Sequence, residues 1–138
     1  MRALVQRVSR AAVDAGGTRV AEIGPGLLVL LGVTHDDTEA VTDRLAAKVR
    51  ALRVFPDAQG RMNEPLGARE VLCVSQFTLY GDTARGNRPS YVAAAPAPIA
   101  EPLYEAPENG SFVLPAESPC LSVIPAGSPA SGESVALP

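Results

Sequence analysis

The stretch VLCVSQFTLYGDTARGNRPS, residues 71–90, begins as an apolar strand and ends polar. Side chains alternate faces along a strand, so Ser75, Phe77 and Leu79 share one face and Gln76, Thr78 and Tyr80 the other. Gln76 and Thr78 then stand side by side, their Cα atoms about 6–7 Å apart. An amide offers an acceptor and two donors, and a hydroxyl adds a rotatable donor. Together they can hold one small polar group, such as an ester or an ammonium. The same pattern also describes an edge strand whose polar residues face water. Arg85 and Arg88 follow in a loop containing Gly86 and Pro89. Guanidinium groups there suit phosphate oxygens, and they equally suit plain solvation.

Other chemistries are poorly supplied. His35 is the only histidine, which excludes a multi-histidine metal centre and disfavours a Ser-His-Asp triad. Cys73 and Cys120 are too few for a disulfide framework or a zinc site. No metal or cofactor is expected. All twelve Lys and Arg residues lie in 1–106 with twelve of the fifteen acids, so that part is neutral and the net −3 sits in the remainder. A neutral body does not advertise nucleic-acid binding by net charge; any such contact needs a local basic patch. No apolar run reaches the roughly 18 residues of a membrane span, and MRALVQRVSRAAV is no secretory leader. A cytoplasmic protein without membrane contact is expected.

The elements that must position the polar stretch are readable by pattern. Residues 2–13 and 18–23 suggest strands around the turn Asp14-Ala15-Gly16-Gly17. Leu27 to Val33 is a continuous apolar run of strand length, which predicts a central strand buried on both faces. Asp36 and Glu39 suggest a capping box for a helix carrying Val41, Leu45, Val49 and Leu52 on one stripe. Val54-Phe55 and Arg61-Met62-Asn63 frame a hairpin. Glu70 to Tyr80 reads as the strand bearing the polar stretch, and Ala100 to Ala106 as the start of a second helix. The fold class is α+β: a barrel-like antiparallel or mixed sheet with one or two helices.

Composition divides the chain at about residue 106. Residues 107–138 hold six Pro, six Ser and three Gly, fifteen of 32, with no Lys or Arg. That segment buries too little apolar surface to offset ordering, so a domain at 1–106 followed by a disordered or irregular tail is expected. Its composition is also what an out-of-frame reading of GC-rich DNA gives, which resequencing around codon 107 would test.

SQFTLYGDTARGNRPSY closely resembles the signature of the D-aminoacyl-tRNA deacylases, dimeric cytoplasmic editing enzymes that free tRNA from D-amino acids. MRALVQRVSRAAV, IGPGLLVLLGVTHDDTE, LRVFPDAQGRMN and AAAPAPIAEPLYEA resemble further family segments in family order, covering residues 1–106. The resemblance implies hydrolysis of the aminoacyl ester at the tRNA 3′ end by a homodimer, with no cofactor. It implies Thr78 and Gln76 as catalytic residues and Ser75 and Phe77 as pocket wall. It places Arg7, Met62 and Asn63 near that pocket. Either Thr78 is the nucleophile, or the protein positions the ester while the RNA's 2′-hydroxyl helps activate water. The family's C-terminal Gly-Pro, which excludes L-amino acids by collision, has no counterpart in residues 107–138; the one Gly-Pro is Gly24-Pro25. The alternative is an inactive member that at most binds tRNA ends, and a third reading is a small interaction module.

Overall fold

The computed structural model describes residues 1–104 and the strand Ser122–Ile124. Expectations for the rest of the tail lie outside the described residues. The order is β1 (Arg2–Val8), β2 (Ala11–Ala15), β3 (Thr18–Ile23), β4 (Gly26–Gly32), α1 (Glu39–Arg50), β5 (Phe55–Pro56), β6 (Met62–Glu64), β7 (Glu70–Ser75), a 3₁₀ turn (Phe77–Tyr80), α2 (Ala97–Tyr104) and β8 (Ser122–Ile124).

The main sheet runs β1-β4-β7-β8. β4 pairs antiparallel with β1 and parallel with β7. A parallel pair needs a long crossover, and here α1 and the β5–β6 hairpin supply it. β7 pairs antiparallel with β8 from Val71↔Ile124 to Cys73↔Ser122. The β2–β3 hairpin turns at Gly16 and Gly17, both at positive φ, which a tight hairpin turn demands.

β4 is central, as its apolar run predicts. Leu27, Val29 and Leu31 have no accessible surface and meet Val71 and Cys73 of β7 on one face. Ala46 and Val49 of α1 and Ala100 and Tyr104 of α2 complete that core. On the other face the β2–β3 hairpin covers Leu72, with Ile23, Val13 and Leu28 around it. The result is α+β, with helices on one side of a mixed sheet and a hairpin on the other.

Two local readings change. The α1 N-cap is Thr38 rather than Asp36, and no side chain caps the helix. Asp37, next door, instead accepts the Thr34 N–H at 2.8 Å and takes the N-terminal ammonium at 2.5 Å. The residues of α1 that become fully buried are Thr42, Ala46 and Val49. Thr42 and Ala46 join Val49 in the buried stripe, which is shifted from the one the larger residues define.

Because Leu31 is wholly buried in a close-packed core, Leu31→Ala is expected to destabilise the protein by about 2–5 kcal/mol. Urea denaturation followed by circular dichroism measures it; a loss under about 1 kcal/mol would show that β4 does not anchor the core.

Candidate active site

β7 ends earlier than its sequence suggests. The ladder to β4 runs from Gly26↔Glu70 to Leu31↔Ser75, and the next N–H, of Gln76, bonds to Leu31 O at 2.6 Å. The chain then bends into the 3₁₀ turn. Gln76 and Thr78 therefore do not sit on one face of a strand. Their side chains meet all the same, because the turn brings them together: Gln76 Nε2 donates to Thr78 Oγ1. Thr78 is exposed and Gln76 half-buried.

The turn is held by Tyr80 and by Arg2. Tyr80, at its end, is buried, and its ring fills the space left by Gly32, where a Cβ would come within 3.1 Å. Arg2 of β1 donates from Nη1 to Leu79 O at 2.7 Å and stacks over the Tyr80 ring at 4.5 Å. Burial, and then the charge of Asp37, raise the Tyr80 phenol above its ordinary range, with Arg2 opposing. Tyr80 thus stays protonated and works as a neutral anchor.

A cavity of about 350 Å³ opens between the turn, residues 91–96 and α2. Ser75 and Phe77 line one side, and Val33 lies in the wall. Phe77 meets Tyr91 edge-on, ring centroids 5.1 Å apart. The far wall is tied to the end of β4: Ala95 N–H bonds to Val33 O at 2.9 Å, and Thr34 Oγ1 donates to Ala93 O at 2.6 Å. His35 Nε2 lies 2.9 Å from Val92 O, so the single histidine fastens this segment. Arg85 and Arg88 project from a loop closed by reciprocal backbone bonds between Asp82 and Ser90, 2.9 and 2.8 Å long.

Arg7 and Met62 line a different groove, of about 380 Å³, with Val5, Leu52 and Val54. Arg7 donates to Val54 O at 2.5 Å, and Arg53 holds Asn63 through both its backbone oxygen, at 2.8 Å, and its amide. Arg7 pairs with Leu27 and Ser75 with Leu31. Four residues of β4 separate those rungs, about 13 Å along the sheet. The chain thus assembles Ser75, Gln76, Phe77 and Thr78 at one end and Arg7, Met62 and Asn63 at the other.

Among the described residues no histidine, carboxylate or lysine bonds to Thr78, whose one side-chain partner is Gln76. Cys73 is no substitute nucleophile, since complete burial pushes its thiol well above the ordinary value. No cluster of three His, Cys, Asp or Glu side chains suited to a metal occurs among the described residues. Sequence reasoning missed Tyr91, Glu101 and Tyr104, which also line the cavity. The available signal was the alanine-rich run 93–100, whose small side chains leave room beside Phe77.

A profile of the D-Tyr-tRNA(Tyr) deacylase family matches residues 4–109. The chain belongs to this family. It is 57% identical over 106 residues to a D-aminoacyl-tRNA deacylase of Symbiobacterium thermophilum, covering 75% of this chain and 70% of that one. It is 52% identical over 107 residues to that of Myxococcus xanthus, covering 76% and 70%. Among solved structures, one titled c-Myc DNA Unwinding Element Binding Protein superposes with a TM-score of 0.70 at 40% identity, over 77% of this chain and 72% of that one. Another, titled as a probable eukaryotic D-amino acid tRNA deacylase, shares the fold at 16% identity with a TM-score of 0.61, over 75% and 62%. The polar turn and its cavity lie within the matched deacylase region.

If Arg2 clamps the turn, Arg2→Met should free it locally. The expected result is amide exchange at Leu79 and Gly81 about five- to tenfold faster, the equivalent of about 1–1.4 kcal/mol, with the main sheet unchanged. Exchange at the wild-type rate in hydrogen–deuterium experiments would show that Arg2 is dispensable.

Proposed function

We propose that the protein hydrolyses the ester of D-aminoacyl-tRNA in the cytoplasm, freeing tRNA from D-amino acids. The observation that carries the reading is the cavity beside Ser75 and Phe77, within the segment matched to the D-Tyr-tRNA(Tyr) deacylase family. Its volume suits an amino-acid side chain with part of a terminal nucleoside. Phe77, 54% exposed beside Tyr91, offers a ring face for a base or an aromatic side chain to stack on.

In this reading Gln76 and Thr78 grip the ester. The Gln76 amide keeps its other N–H and its oxygen for substrate, and the Thr78 hydroxyl, accepting from Gln76, keeps its proton to donate. With no base bonded to Thr78 among the described residues, positioning is favoured over an acyl-enzyme. Water attacks the acyl carbon, the bond to the ribose 3′-oxygen breaks, and that oxygen takes up a proton, with the neighbouring 2′-hydroxyl assisting. Good orientation alone supplies up to about 7–11 kcal/mol. Arg85 and Arg88 are exposed on their loop without a partner among the described residues, which supports their reading as contacts for tRNA phosphates.

We further propose a homodimer. Arg7, Met62 and Asn63 lie at the opposite end of the sheet from Thr78, so one pocket containing both sets requires two copies. β1 has no second strand partner among the described residues, and Leu4 and Met62 are 55% and 69% exposed. Pro25 lines a groove with Arg7 and Arg69, away from the cavity of its own chain.

The test is deacylation of D-Tyr-tRNA and L-Tyr-tRNA. Cleavage of the D-ester is expected, with weakened discrimination against the L-ester. Cleavage of neither, with tRNA mobility still shifted on gels, would support the binding-only alternative. Thr78→Val should leave appreciable turnover if the RNA assists; near-complete loss would make Thr78 the nucleophile.

A further inference from the structure

His35 is the single histidine, and the reading above gives it no task in the hydrolysis. Its Nε2 lies 2.9 Å from Val92 O, a residue 57 positions away. A carbonyl only accepts, so Nε2 carries the proton and donates it. That nitrogen is spent on backbone and is no base. The bond falls at a sensitive place, because the next residue back is Tyr91. The Tyr91 ring meets Phe77 edge-on at 5.1 Å and rests on Gly81, where a Cβ would come within 3.1 Å of it. Phe77 and Gly81 flank Thr78 on the polar turn. Two backbone anchors in turn flank Tyr91. Before it, Ser90 exchanges bonds of 2.9 and 2.8 Å with Asp82. After it, His35 holds Val92 O. The following ties lie further on, from Thr34 Oγ1 to Ala93 O at 2.6 Å and from Ala95 N–H to Val33 O at 2.9 Å. Val92 is 82% exposed, so its own side chain does little to hold it. Without the His35 bond, the backbone not tied to another element grows from Tyr91 to Tyr91 and Val92.

We infer that His35 is a positioning residue for the hydrolysis. By fixing Val92 O it fixes the Tyr91 ring, and with it the gap between that ring and the polar turn. This rests on the deacylase reading. His35 touches no reacting atom in it and acts only through the wall that faces the turn. The turn itself does not depend on His35, since the Gln76 N–H bond to Leu31 O, Arg2 and Tyr80 hold it. Loss of the bond therefore leaves Gln76 and Thr78 in place and loosens the fit of the tRNA terminus between the walls. A loss of binding felt equally by substrate and transition state raises KM and spares kcat. The net worth of one hydrogen bond corresponds to about three- to tenfold in that constant. What the site asks of position 35 is a donor at the right reach. A glutamine supplies one from its amide, whereas a phenylalanine keeps the ring and loses the donor.

The experiment compares the full wild-type chain with His35→Phe and His35→Gln in two measurements. The first is steady-state deacylation of D-Tyr-tRNA. His35→Phe should raise KM about three- to tenfold with kcat within about twofold of wild type, and His35→Gln should restore most of the KM. The second is hydrogen–deuterium exchange without substrate. In His35→Phe the amides of Ala94 and Ala95, bonded to Tyr91 O and Val33 O, should exchange about three- to tenfold faster, while that of Leu79 on the turn keeps its rate. A merely structural histidine would lower the fraction of active protein, hence kcat, and leave KM alone; that result overturns the role. So does an unchanged exchange rate at Ala94 and Ala95, or a glutamine variant that behaves like the phenylalanine one. In each of these cases wild-type turnover leaves the deacylase reading standing. If the wild-type chain cleaves no D-Tyr-tRNA, that reading fails, and the role of His35 in the reaction falls with it.

Discussion

The last rung between β4 and β7 is the bond from Gln76 N–H to Leu31 O, and the site's geometry hangs on it. Up to that rung, β7 is committed to a parallel neighbour whose odd-numbered residues are wholly buried. Beyond it, β4 gives way to Gly32, which has no side chain to oppose β7. The space is taken by Tyr80, and the chain can reach it only by curling. Curling turns what would be an extended polar strand into a short turn that presents Phe77 and Thr78 outward. The same strand end fixes the opposite wall, because Val33, Thr34 and His35 hold residues 92–95. One strand terminus thus sets both sides of the cavity.

The legible and illegible parts of the sequence divide along physical lines. Leu27 to Val33 announced a central strand because burial of an unbroken apolar run leaves few alternatives. The Phe55 and Met62 hairpin and both helices were readable within a few residues. The end of β7 was not, since Phe77, Leu79 and Tyr80 have high strand propensity and nothing local says that Gly32 offers a seat for a ring. Tertiary space overrode propensity there. Gln76 and Thr78 were rightly paired but for a different geometric reason. Tyr91, at the end of the quoted signature, and Glu101, on α2, were not singled out because a strand pattern does not say which loop and helix residues the fold brings beside Phe77.

The separation of Arg7, Met62 and Asn63 from the polar turn shows how family resemblance and single-chain geometry complement each other. Resemblance groups these residues around one pocket. The register of β1 on β4 places Arg7 at the far end of the sheet, in a groove of its own. The two statements are compatible when pockets are built across copies, as the homodimer implied by the resemblance would allow.

β8 joins the sheet by pairing Ser122 with Cys73, residues 49 positions apart. Closing so long a loop carries an entropic penalty before any contact rewards it. This strand is also the last of the described ones to leave the ribosome. A nascent chain therefore spends its synthesis with the outer hydrogen-bonding groups of β7 bare, a template for foreign strands. Yield in cells would then follow chaperone supply and expression temperature more closely than the depth of the core would suggest.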